Sequence, residues 1–121
     1  MLLCRYALYN LAVLVEESRR DFPEAKRLFK AAISAAPNDP LALADFGRFL
    51  VSAEGDFKAA EPILQRALKA DPESIVALFN WGTLCANYRK DKREATTAFQ
   101  RVLKLDSRHA GARAALANLS K

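Results

Sequence analysis

Residues 43–72 read LADFGRFLVSAEGDFKAAEPILQRALKADP. In the first half, Leu43, Phe46, Gly47 and Leu50 recur at three- and four-residue steps, the spacing of one face of a helix. In the second half, Ala60, Leu64 and Ala67 do the same. Asp56 stands between the two runs, and Pro72 closes the stretch. The segment reads as two helices folded back on each other.

The same reading returns 35 residues away on either side. The column of small residues runs Ala12, Gly47, Gly82, and the one before it runs Leu11, Phe46, Trp81. Leu8, Leu43 and Leu78 form an apolar column, followed two places later by Asn10, Asp45 and Asn80. After Asp21, Asp56 and Asp91 come Ala25, Ala60 and Ala95, then Phe29, Leu64 and Phe99, then Ala32, Ala67 and Val102. Pro37, Pro72 and Ser107 end the units. So many ungapped columns define a repeat array.

Helix starts are signalled locally. Asp21 with Glu24, and Asp91 with Glu94, have the capping-box spacing that satisfies orphan backbone N–H groups. The middle unit has Ala59 in place of the glutamate, which predicts a weaker cap. Asp39-Pro40 and Asp71-Pro72 supply starts for the following helices, with proline where its missing donor costs nothing. Helices are expected over roughly 3–18, 22–35, 40–53, 57–70, 73–88, 92–105 and 108–119. The fold class is all-α, an α-α superhelix of antiparallel helix pairs. Gly47 and Gly82 each cost about 1 kcal/mol inside a helix. The expected compensation is close approach of the first helix to Ala25, Ala60 or Ala95 on the second, with Phe29, Leu64 or Phe99 beside the contact. Pro62 removes one backbone donor from its helix and predicts a slight kink.

These columns resemble the tetratricopeptide repeat (TPR) family: an aromatic or leucine, a small residue, an apolar residue, alanine, an aromatic, a second alanine and a closing proline. The resemblance runs from about Arg5 to His109, and Ala110 to Ser120 resembles the extra terminal helix that shields a last unit. It implies one domain over 1–121, with units at about 5–39, 40–74 and 75–109, a capping helix over 110–120, and a right-handed solenoid. Each unit is one residue longer than the usual 34, and the extra residue is expected in the turn between its helices. Trp81 sits one place later than the family's tryptophan, and Ser107 replaces the last proline. A 35-residue period also fits pentatricopeptide repeats, which read single-stranded RNA. There the extra residue follows the second helix, whereas Ala25 to Pro37 and Ala60 to Pro72 keep the TPR spacing.

At 51% apolar the chain can bury a core, but a single unit is too short to do so alone, so stability must come from stacking between neighbours. The start, Met1-Leu2-Leu3-Cys4, brings an apolar edge into the first helix. Either a longer array covers that edge or it is a contact surface, including one for self-association. No basic leader or small-residue cleavage site marks a signal peptide, and no apolar run reaches the ~18 residues of a membrane span. Cys4 and Cys85 read as reduced thiols, which points to a cytoplasmic or nuclear setting. Cys85 falls in a column with Val15 and Leu50 and is expected to be buried.

Chemistry is sparse. His109 is the one histidine, expected in an exposed loop. It cannot make a metal cluster or an acid-base pair alone, and there is no glycine-rich phosphate loop. The expectation is a chain with no catalytic residues, no metal and no cofactor. The net charge of +5 is uneven: basic and acidic side chains number six and five in 5–39, four and six in 40–74, and seven and three in 75–109. Arg89, Lys90, Lys92 and Arg93 concentrate positive charge at the last helix-helix turn, a second candidate surface, for acidic protein, RNA or anionic lipid. Lys26, Lys30, Arg66, Lys69, Arg101 and Lys104 read as outward, solubilising charge.

Binding in a helical solenoid belongs to its inner curve, lined by first helices. The residues between the packing columns there are Tyr9, Asn10, Val13 and Glu17, then Ala44, Asp45, Arg48 and Ser52, then Phe79, Asn80, Thr83 and Asn87. Tyr9 and Phe79 are the aromatic anchors of a mixed groove suited to an extended peptide or a partner helix. Asn10 and Asn80 resemble the asparagine ladder with which some TPR grooves hold a peptide backbone, and Asp45 interrupts it. The TPR subgroup that grips acidic chaperone tails uses lysine, asparagine and arginine where this chain has Tyr9, Val13, Asp45, Val76 and Asn80. Chaperone-tail binding is therefore not expected. The expected function is a non-catalytic protein-interaction scaffold, set against an RNA-associated module or a regulatory piece of a larger enzyme.

Overall fold

A computed structural model describes residues 2–121, with the side chains of residues 2–6, Tyr9 and Arg19 outside the described set. Seven α-helices follow one another: α1 Leu2–Leu14, α2 Phe22–Ala35, α3 Pro40–Ser52, α4 Phe57–Ala70, α5 Ile75–Asn87, α6 Lys92–Leu105 and α7 Ala110–Leu119. A π-helical turn, Val15–Arg19, extends α1. No strand forms among the described residues. Helices α1 and α2, α3 and α4, and α5 and α6 pack as pairs, and each second helix then packs on the next first helix. The all-α array of helix pairs is the fold the columns predict.

All three second helices begin at their aspartate. Asp21, Asp56 and Asp91 accept the backbone N–H three residues on, at 3.2, 3.1 and 3.0 Å. The middle cap is therefore as well made as the others, because capping needs only the aspartate oxygen. The glutamates serve elsewhere: Glu24 accepts from Arg27, and Glu94 accepts from the Trp81 indole Nε1 at 3.3 Å.

Among the first helices, α3 begins at Pro40 as Asp39-Pro40 predicts, whereas α5 begins later than Asp71-Pro72 suggests. Their caps form a separate column, Asp39, Ser74 and His109, which accept from Leu41, Ala77 and Ala112 N–H groups. Asp71 instead closes a turn by accepting from Glu73 N–H, so α5 starts at Ile75 and not near 73. His109 is likewise no loose loop residue. Its Nδ1 lone pair caps α7 at 3.0 Å, and its ring lies 5.0 Å from that of Phe79.

The extra residue of each unit is absorbed at the end of the first helix by a widened turn. Glu54 N–H reaches back to Phe49 O, and Arg89 N–H to Leu84 O, the five-residue step of a π-turn. Asp56 and Asp91 N–H groups then bond Leu50 and Cys85 O, six residues back, which satisfies further carbonyls of the helix end. The residue ahead of each aspartate is left-handed: Arg20 at φ 53°, Gly55 at 63° and Lys90 at 55°. Only the middle unit has glycine where it is cheapest.

Gly47 and Gly82 do permit close packing, but against a different neighbour from the alanine column. A Cβ on Gly47 would stand 2.4 Å from Leu64 Cδ2, and one on Gly82 would stand 2.7 Å from Phe99 Cε1. The large residue of the second helix thus fills the space the glycine vacates. Ala25, Ala60 and Ala95 are themselves fully buried. Between units, Phe29 stacks on Phe46 at 5.8 Å and tilts against Phe49 at 5.4 Å. Helix α4 continues through Pro62 to Ala70. On α7, Arg113 and Ser120 stand exposed in the columns filled by Leu43 and Leu50 in α3.

Some of the charge set aside as solubilising in fact joins units. Arg66 and Arg101 donate to the carbonyls of Pro37 and Pro72, at 2.6 and 3.1 Å. Lys26 pairs with Glu54 at 3.1 Å, and 35 residues on the same positions hold Glu61 and Arg89 at 3.5 Å with the charges exchanged.

Candidate functional site

First helices approach one another, α3 on α5 and α5 on α7, while the second helices make no comparable contacts among themselves. In a stack of pairs the closer layer is the inside of the bend, so the first helices line the concave face. On α3, Leu41, Asp45, Arg48 and Ser52 follow at steps of four, three and four residues and share one stripe. Val76, Asn80, Thr83 and Asn87 form its counterpart on α5, and Asn10 and Val13 on α1 with Glu17 on the π-helical turn that extends it.

The expected groove residues are placed unevenly. Tyr9 lies outside the described residues. Asn10, Glu17, Ser52 and Asn87 are exposed, and Val13, Asp45, Arg48, Phe79 and Thr83 are half-buried. Ala44 and Asn80 are buried, at 3% and 6% exposure. The Asn80 amide donates to Val76 O one turn back at 2.8 Å, which fixes its side chain against its own helix. Thr83 and Ser52 hydroxyls make the same backward bond, to Phe79 O and Arg48 O. The Phe79 ring packs against Phe99 at 5.6 Å as well as His109, so it joins the α5, α6 and α7 junction.

At the centre lies a charge cluster that involves a residue absent from the expected set. Arg48 donates from Nη1 and Nη2 to both oxygens of Glu16, at 3.0 and 2.7 Å, and from Nε to Asp45 at 3.1 Å. The Glu16 hydrogen bond, reinforced by Asp45, pushes the guanidinium pKa above its ordinary value despite partial burial. The fork ties the first two units together across the groove wall. It also occupies the one cation of the stripe on α3.

One open cavity adjoins this cluster and another lies where α5, α6 and α7 meet. The first, of about 320 Å³, is lined by Glu16, Glu17, Arg20, Phe22, Ser52 and Ala53. The other, of about 230 Å³, lies between α5 and α7, with Thr83, Asn87 and Asn118 as its polar members and Ala86, Phe99, Ala115 and Leu119 as its apolar ones. Leu41 and Val76, 35 residues apart at the head of the two stripes, are 55% and 38% exposed. They form an apolar rim that column reading passed over for Leu41. No group of histidine, cysteine, aspartate and glutamate side chains suited to a metal occurs among the described residues, and none of the helices described is long and apolar enough to cross a membrane. Cys85 is fully buried, and burial pushes its thiol pKa up to about 11.

A family model described as Tetratricopeptide repeat matches residues 18–78. No curated protein matches the sequence. Among solved structures, the first TPR domain of Spaghetti (RPAP3), bound to the HSP90 peptide SRMEEVD, superposes with a TM-score of 0.88. It is 19% identical, over 98% of this chain and 91% of that one. The first TPR domain of human RPAP3 gives 0.85 at 19% identity, over 97% and 90% of the two chains. The Sgt2 TPR domain of Aspergillus fumigatus gives 0.83 at 19%, over 96% and 76%. At these identities the likeness is one of fold. With the family match spanning half the sequence and the columns repeating from Leu8 to Ser107, the chain belongs to the tetratricopeptide repeat family.

Proposed function

We propose that this chain is a non-catalytic protein-interaction scaffold that receives an extended peptide or a partner helix along its first-helix face. The observation that carries this reading is the exposed pair Leu41 and Val76, aligned on adjacent helices above polar stripes. Single exposed leucines are common, but a repeated apolar rim along a concave wall offers successive side-chain pockets to a linear ligand. The groove residues of the proposal are Asn10, Val13, Glu17, Leu41, Asp45, Arg48, Ser52, Val76, Thr83 and Asn87, with Tyr9, Ala44, Phe79 and Asn80 as members or supports.

Charge limits the ligand. Glu16, Glu17 and Asp45 outnumber Arg48 on this wall, and Arg48 already carries two carboxylates. A ligand carboxylate would have to displace an internal one, so the reading favours a neutral or basic segment over an acidic tail. The Spaghetti relative holds SRMEEVD; the same peptide is expected to show no saturable binding here.

The test is selection of dodecapeptides against the protein, followed by titration of the winners against a Leu41→Glu, Val76→Glu variant. The proposal expects at least tenfold weaker binding to the variant. Selected peptides that bind both proteins equally would contradict it. The RNA reading has less support, because Arg89 is held between Glu61 and the Trp81 ring.

A further inference from the structure

Where α3 meets α5, the groove wall is built from Arg48, Val51 and Asn80, and the last two are 8% and 6% exposed. At the equivalent places 35 residues on, where α5 meets α7, stand Thr83, Ala86 and Ala115. Each is smaller than its counterpart, and both alanines are half-buried where Val51 and Asn80 are buried. The cavity of about 230 Å³ lies among these three residues, with the buried Phe99 ring as its floor. Asn87 and Asn118 stand exposed at its rim.

We propose that this cavity is the anchor pocket of the groove and takes one uncharged side chain of the bound peptide, of leucine or methionine size, where the preceding joint is filled by the chain's own residues. The proposal rests on the groove reading and gives its ligand a required residue. Size and charge select the occupant. An apolar cavity of about 150 Å³ holds a benzene-sized guest, and pockets for whole small-molecule ligands begin at ~300 Å³. A volume of about 230 Å³ therefore suits a single side chain. No charged residue lines it, unlike the cavity beside Glu16, Glu17 and Arg20. A lysine, an aspartate or a chain terminus entering here would lose its hydration with no partner in return. The Thr83 hydroxyl already donates to Phe79 O, while the Asn87 and Asn118 amides offer donors and acceptors to the ligand's flanking backbone.

The experiment fills the pocket with the residues this chain carries one unit earlier, in the variant Ala86→Val, Ala115→Asn. The probes are the N-acetyl methylamides of leucine, methionine, lysine and aspartate, titrated against methyl-labelled protein. Leucine and methionine probes are expected to shift the Ala86, Ala115 and Leu119 methyls saturably, and the charged probes to leave them unmoved. Filling the pocket, read at Leu119, should weaken the leucine probe at least tenfold, and peptides selected on the parent likewise. The leucine probe should still bind the Leu41→Glu, Val76→Glu variant, which separates this pocket from the groove rim. A leucine probe that fails to saturate, that binds the filled variant as well as the parent, or that lysine matches would overturn the proposal. Selected peptides lost from the rim variant but unchanged on the filled one would overturn it while the groove reading stood. Either substitution alone carries the test if the pair lowers the urea midpoint.

Discussion

Arg48 grips Glu16 with two guanidinium nitrogens from 32 residues away, at 3.0 and 2.7 Å, and the pair spans the joint between the first two units. Both side chains are mostly shielded, with 25% and 10% exposure. Removing one partner strands the other charge in a poorly solvated place. Arg48→Met alone is expected to cost about 2 kcal/mol, and the double variant with Glu16→Gln less than the two single costs together. A double-mutant cycle read by urea denaturation checks this, with a coupling energy near zero as the contrary result.

The two helical glycines should respond differently to alanine. At Gly82 the new Cβ meets the buried Phe99 ring at 2.7 Å, and a packed ring cannot turn aside. At Gly47 the obstacle is the branched end of Leu64, which can rotate. Against a propensity gain of about 1 kcal/mol, Gly82→Ala is expected to destabilise by about 2 kcal/mol and Gly47→Ala by less. Thermal melting of the two variants should preserve that order.

Lys90 occupies the left-handed turn where the middle unit has Gly55. Replacing it by glycine relieves the Cβ clash at some entropic cost, so Lys90→Gly should stabilise by about 0.5 kcal/mol. Gly55→Ala should destabilise by about 1 kcal/mol. Urea midpoints moving in the same direction for both would contradict this account of the turn.

Cys85 links stability to alkaline pH. Its thiol rises from 9.0 to about 11 in the folded chain because burial disfavours the thiolate. The unfolded chain therefore loses its proton first as pH rises through 9, and this group's contribution is full below that value. It falls away between pH 9 and 11, by about 2 to 3 kcal/mol in all. A Cys85→Ala variant should lack that part of the decline, and the difference between the two pH profiles is the measurement.

Most of the fold was legible because stacking repeats every packing demand at one interval. Leu43, Gly47, Leu64 and Ala67 each have counterparts 35 residues away, and burial follows the columns. What escaped was whatever breaks the period or changes residue type within it. The Glu16 and Arg48 pair forms at one joint only, with Val51 and Thr83 at the equivalent places in the next, so no column announces it. The ties of Lys26 to Glu54 and of Glu61 to Arg89 repeat in position while exchanging sign, which hides them from a reading by residue type. Of the first-helix caps, Asp39 was legible from Asp39-Pro40, whereas Ser74 was masked by the neighbouring Asp71-Pro72 and His109 by its residue type. Of the groove, the spacing located the helices and most of the stripe. It could not show that Asn80 turns back onto Val76 O, since a helical asparagine has a backbone carbonyl within reach whatever its outward neighbours.

Partners entering along the first-helix wall, as proposed, would be seen by amide chemical-shift mapping with a selected peptide. Shifts are expected to concentrate at Leu41, Asp45, Val76, Thr83 and Asn87, with outer-surface residues such as Gln65 and Gln100 unmoved. Shifts confined to α4 and α6, with the wall unchanged, would contradict the proposal.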